Sequence, residues 1–167
     1  SSGGTVTAEE ALAHPAVQSE CAARSAAAIS LATEFLDAIT SPAAVAALPF
    51  GTRYIARAIF NLTARRVGPA ETARCYSFVG GFLFLRCINP RIVAPGTIGL
   101  GGGADGSAPP SKVARRNLTI IAKMLQSLSN GVLFGQLGKE TELAPLHPFL
   151  LEHASRLRSY FDAVLDV

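Results

Sequence analysis

At 167 residues, 49% hydrophobic and 16% charged, the chain is too apolar for a disordered segment and long enough to bury one core. Its longest apolar run falls well short of the roughly 20 residues a membrane helix needs. The opening SSGGTVTAEEALAH lacks the regions of a secretory signal, so a soluble cytoplasmic domain without direct membrane insertion is expected. The net charge of +3 hides an uneven spread: residues 53–123 hold eleven Lys and Arg against two acids, which predicts either an acidic or phosphate-bearing partner or a solvated basic face.

Alanine is abundant, Trp is absent and alternating strand patterns are hard to find, so the expected class is all-α, a helical bundle. Thr7-Ala8-Glu9-Glu10 fits a capping box and predicts a helix from about Ala8. His14-Pro15 interrupts it, and a helical period in Val17, Cys21, Ile29, Ala32, Leu36 and Ile39 carries the next helix to about Thr40. Ser41-Pro42 begins a short Ala-rich link, and Leu48-Pro49-Phe50-Gly51 starts another helix. There Tyr54, Ile55, Ala58, Ile59 and Leu62 form one face, while Arg53, Arg57 and Asn61 line another. Cys21, Cys75 and Cys87 are too few and scattered for a disulfide framework and are expected to be reduced and buried.

Gly68-Pro69 separates this helix from one predicted over about Ala70 to Asn89, apolar all round and therefore central. Within it Arg86 is the one charge between Phe78 and Ile88, costly to bury unless its guanidinium finds acceptors. Gly80-Gly81 costs roughly 1 kcal/mol per glycine against Ala in a helix, reasonable where another backbone must approach closely. Asn89-Pro90 is a sharp break.

Residues 96–112 form a Gly- and Pro-rich loop expected to be flexible. Gly101, Gly103 and Gly106 match a dinucleotide-binding spacing, but no strand precedes them and Pro109-Pro110 follows, so that reading fails. A helix from about Val113 to Asn130 presents Leu118, Ile121, Leu125 and Leu128 on one side and Arg116, Lys123 and Asn130, spaced by seven, on the other. A last helix is predicted from about Phe149 to Leu165. His14, His147 and His153 read as structural or exposed, and no metal-ligand spacing is visible. A nucleic-acid binder would need interleaved aromatics or a known motif among the basic residues, which are absent.

The run GFLFLRCINPRIVAP resembles the signature of Ras-type GTPase-activating domains, and ARRNLTIIAKMLQSLSN resembles their second block. VTAEEALAHPAVQ and FLDAITSPAAVAALPFGTRYIARAI are similar to the GAP-related domain of IQGAP-type scaffold proteins. The resemblance covers about residues 5–165. It implies an all-helical fold, of which residues 1–167 would be the C-terminal portion, with the catalytic arginine finger upstream. It implies a small GTPase of the Rho or Ras family as partner, GTP-loaded, which itself brings GTP and Mg; no cofactor of the chain's own and no nucleic acid are expected. Arg86 matches the triplet arginine, which in the family steadies the finger loop, so no catalytic residue is expected here. Lys123 matches the lysine that faces the GTPase, with Arg116 and Asn130 added from helical geometry. Asn89 and Pro90 join the expected contact set, and Arg53 and Arg57 are further candidates. Arg91 replaces the family's usual Ala and is expected to face solvent. IQGAP-type domains commonly lack the finger, which implies GTPase binding with little stimulation of hydrolysis; the alternative is a true Ras-family activator whose finger lies upstream.

Overall fold

The computed structural model describes residues 7, 10, 13–100, 109–136 and 140–167. Among these residues every regular element is helical: α1 (Pro15–Thr40), α2 (Pro42–Ala47), α3 (Phe50–Val67), α4 (Thr72–Gly80), a π-helical segment (Gly81–Ile88), α5 (Asn89–Val93), α6 (Lys112–Asn130) and α7 (His147–Leu165). The expected all-α class is what is found. Gly101, Gly103 and Gly106, like Ala8 and Glu9, lie outside the described residues.

The punctuation read in the sequence has direct counterparts. Thr7 and Glu10 bond reciprocally, the Glu10 N–H to Thr7 Oγ1 at 3.2 Å and the Thr7 N–H to Glu10 Oε2 at 2.9 Å, which is a capping box. Those bonds also hold the Glu10 carboxyl below its ordinary pKa. His14 Nδ1 accepts the Ala16 N–H and caps α1, with Pro15 in the first position, where its missing N–H costs nothing. Ser111 Oγ caps α6, and Gly131 at φ 67° closes it in the left-handed region. The Ala-rich link after Ser41 is itself a short helix, α2, capped by Ser41 Oγ on the Ala44 N–H.

Helix α6 runs through the middle, packing against α1, α4, α5, α7 and the π segment. Its Ile121, Met124, Leu125 and Leu128 meet Leu36 of α1, Val79 of α4, Phe84 of the π segment, and Phe149 and Phe161 of α7 in one continuous core. Close approach of α4 to α6 depends on Gly80. A Cβ built there would lie 2.8 Å from the Ser129 carbonyl oxygen and 3.0 Å from Ser129 Cβ. The glycine pair therefore has the reason its sequence suggested, but only at Gly80: at Gly81 nothing lies nearer than Arg86 Nη1, at 3.8 Å.

Three expectations are corrected. The face of α3 formed by Tyr54, Ile55 and Leu62 points outward, with all three exposed; the core side is Ala56, Ile59 and Phe60. Ala56 lets the helix lie close, and Phe60 reaches Tyr76 of α4, ring centroids 5.0 Å apart, so that side wins over the more apolar one. Cys21 is exposed and Cys87 half-buried; only Cys75 is in the core. The helix predicted over about Ala70 to Asn89, seen as α4 and the π segment, is not buried all round either, since Phe78 and Leu85 are exposed.

Gly80→Ala is expected to lower the unfolding free energy by about 1–3 kcal/mol, because a backbone carbonyl cannot swing aside. Gly81→Ala should be neutral or stabilising by up to about 1 kcal/mol. Urea denaturation of the two variants distinguishes them; equal effects would remove the close contact as their cause.

Candidate functional site

Three polar residues of α6, Arg116, Lys123 and Asn130, lie exposed along its outward side. Lys123 is held: its Nζ pairs with Glu140 Oε1 at 2.5 Å, both side chains more than a third exposed. An exposed pair of this kind contributes about 0–1 kcal/mol, so a partner's acid can displace Glu140 at little cost. Glu140 is the one described non-glycine residue with positive φ, at 60°. That conformation is uncommon for a residue with a Cβ. Sequence reasoning missed Glu140, because nothing local links it to a lysine seventeen residues earlier.

The expected break at Asn89-Pro90 is absent: the chain stays helical through Val93 and stops at Ala94, before Pro95. At the C-terminal end of the same face the first turn of α5 docks through amides. Asn89, 7% exposed, opens α5, with exposed Pro90 next to it. The Asn89 Nδ2 donates to Gln126 Oε1 at 3.0 Å. Gln126 Nε2 in turn donates to Asn130 Oδ1 at 3.0 Å and Ser129 Oγ at 3.2 Å. Ser129 Oγ donates back to the Gln126 carbonyl at 2.9 Å. Asn89 and Asn130 are thus joined through one residue, Gln126. Asn89 Oδ1 is buried without a protein partner, which costs about 1–3 kcal/mol unless a water reaches it. The structure joins Asn89 and Asn130 through Gln126, while Lys123, two turns before Asn130 on α6, pairs with Glu140, and Arg116 lies two turns before Lys123.

Arg86 departs from expectation. It is exposed rather than buried, and its Nη1 donates to Gly81 O at 2.9 Å, on its own helix one π turn earlier. The guanidinium does satisfy a backbone carbonyl, but no cost of burial has to be offset, so Arg86→Ala does not empty an interior polar position. Arg91 is exposed as expected and folds onto the Cys87 carbonyl. Arg53 is committed within the chain: Nε donates to Val164 O at 3.3 Å and Nη2 to Ala163 O at 3.2 Å and to Asp166 O, capping the end of α7 where the helix dipole favours a cation. Arg57 is exposed on α3.

Other polar groups are structural. His147 Nε2 donates to Phe134 O at 3.0 Å, and buried His153 meets Thr33 Oγ1 at 3.2 Å. Burial pushes the Tyr160 hydroxyl up to about 12, with Cys87 adding to the shift. Tyr76 is raised by burial and by its bond to Asp162. Both tyrosines pack against Phe161 of α7, away from the α6 face. Among the described residues no three His, Cys, Asp or Glu gather as metal ligands, and no helix is long and apolar enough to cross a membrane. The α6 face offers charges and hydrogen bonds rather than an acid–base pair.

The family model for a GTPase-activator protein for Ras-like GTPase matches residues 1–130. The chain belongs to the RasGAP family. Neurofibromin-A of Dictyostelium discoideum is 38% identical over 135 residues, 81% of this chain and 14% of that protein. Human Ras GTPase-activating-like protein IQGAP3 is 31% identical over 162 residues, 97% of this chain and 10% of that protein. Mouse RasGAP-activating-like protein 1 is 45% identical over 93 residues, 55% of this chain and 11% of that protein. The chain therefore spans only about a tenth of the length of these RasGAP relatives.

Within this RasGAP chain, Gln126→Leu removes a shared partner of Asn89 and Asn130. It is expected to cost about 1–3 kcal/mol, against under about 1 kcal/mol for exposed Asn130→Ala. Denaturant midpoints give both values. A neutral Gln126→Leu would mean that the amide bonds do not hold α5 to α6.

Proposed function

We propose that this chain binds a GTP-loaded small GTPase of the Ras or Rho type through the outward face of α6. In this reading Lys123 is the central contact, Arg116 and Asn130 flank it, and Asn89 and Pro90 bound its C-terminal end. The supporting observation is that Lys123, the lysine of the second family block, is exposed and restrained only by a weak exposed ion pair. Releasing Glu140 frees an ammonium for an acidic surface, and family membership supports a small GTPase as the owner of that surface. GTP and Mg arrive with the partner. Arg86 is a holding residue in this reading, engaged with Gly81 O and available to brace a loop rather than to enter a phosphate site. Cytoplasmic action as part of an IQGAP-like GAP-related domain, with little stimulation of hydrolysis by these residues alone, fits the likeness over nearly the whole chain to IQGAP relatives.

Lys123→Met removes the charge without setting a second carboxylate against Glu140, as Lys123→Glu would. It is expected to weaken binding to a GTPase loaded with a non-hydrolysable GTP analogue by about tenfold, with an unchanged melting curve. Titration calorimetry against the analogue-loaded and GDP-loaded forms measures this. Unchanged affinity overturns the assignment of α6. Fast single-turnover phosphate release by the chain would favour instead a true activator.

A further inference from the structure

Helix α3 leaves its more apolar side uncovered. Phe50 is 71% exposed, Tyr54 61%, Ile55 47% and Leu62 65%. Side chains so exposed on one helix exceed the scattered apolar surface normal for a folded protein. Their arrangement has a shape. Phe50 and Tyr54, whose rings stack at 6.0 Å, form one ridge; Ile55 and Leu62, seven apart, form a second. Between the ridges run Gly51 and Ala58, also seven apart, and a Cβ added at Gly51 would meet nothing within 4 Å. The result is an apolar trough along the helix with small residues at its floor.

The rim of the trough is charged with one sign. Arg57 follows the Phe50–Tyr54 ridge and Arg66 follows the Ile55–Leu62 ridge, while Arg65 closes the C-terminal end. All three are exposed, and among the described residues no carboxylate forms an ion pair with them. The whole of α3 contains no acid. Arg53 is turned away, onto the end of α7.

We propose that the outward face of α3 is a docking surface for an amphipathic helix whose apolar ridge is flanked by Asp or Glu. The two ridges with a small-residue floor are the shape a helix ridge packs into, at the close spacing that glycine and alanine permit. Arginines on both flanks select acids on both sides of the incoming ridge, as charged flanks do in paired helices. A lipid surface would use the apolar knobs and the charge but would leave the trough unfilled, so the helix fits the geometry better. This surface is separate from the α6 face, and neither reading depends on the other.

The test uses fluorescence anisotropy with a labelled 18-residue helical peptide carrying Leu at i, i+4, i+7 and i+11 and Glu on both flanks. Its counterpart has Lys in place of every Glu. Vesicles of phosphatidylserine and phosphatidylcholine form a third arm. The chain is expected to bind the Glu peptide at least tenfold more tightly than the Lys peptide. Arg57→Glu with Arg66→Glu should reverse that preference, and Tyr54→Ser with Leu62→Ser should abolish binding of both. All four residues are exposed, so the melting curve should not move, and in the Tyr54→Ser, Leu62→Ser variant affinity for the analogue-loaded GTPase should stay as in the unaltered chain. Equal binding of the two peptides, binding of neither, or binding that survives the double serine variant would overturn the proposal. Binding to the anionic vesicles without binding to the Glu peptide would assign the face to a membrane instead.

Discussion

The contact between Gly80 and Ser129 sets the distance on which the rest of the fold depends. With no side chain at Gly80, a carbonyl oxygen of α6 lies only 2.8 Å from where a Cβ would stand. Helices α4 and α6 are thereby drawn together before the chain enters the π segment. At that spacing Val79 and Phe84 interlock with Ile121, Met124 and Leu125. The same approach carries Asn89 to within 3.0 Å of Gln126. Ser129 takes part in both, through its backbone at Gly80 and its hydroxyl at Gln126. Packing density and the polar network are therefore linked, and a change of a few tenths of an ångström at one is felt at the other.

The π segment adds to this arrangement. Its wider turns carry the chain from α4 into α5 without a loop, and such segments recur at functional positions. Arg86 folds onto Gly81 O within it. An isolated charge in an apolar run suggested burial. Here the helix that carries the run buries Val79, Leu83 and Phe84 but exposes Phe78 and Leu85, and the charge lies on that open side. Sequence spacing alone could not place it, because a π turn shifts every side chain after it relative to an α-helical wheel.

Much of the fold was legible where local chemistry decides it. The Thr7 box, the His14-Pro15 and Ser41-Pro42 starts, the Ser111 cap and the Gly131 stop act over a few residues and need no tertiary context. The stripe of Arg116, Lys123 and Asn130 was legible because α6 is regular over its whole length. What was not legible depends on partners distant in sequence. Glu140 meets Lys123 across a turn, and Arg53 reaches carbonyls more than a hundred residues on. The orientation of α3 was misread because hydrophobicity favours Tyr54, Ile55 and Leu62, whereas close packing favours Ala56 and Phe60. The molecule consequently carries two outward helix faces of different chemistry. That of α6 is polar, with Lys123 already paired; that of α3 is apolar, with its cations free of any acid among the described residues.

The proposal that the α6 face and the Asn89-Pro90 turn of α5 act as one contact surface has a direct physical readout. The side-chain amide resonances of Asn89, Gln126 and Asn130 can be followed by NMR while a small GTPase loaded with a non-hydrolysable GTP analogue is added. A single connected network at the contact should move all three together, along with the Lys123 backbone amide, at the same protein ratio. Shifts confined to α3 or α7, with the three amides unmoved at saturation, would contradict it.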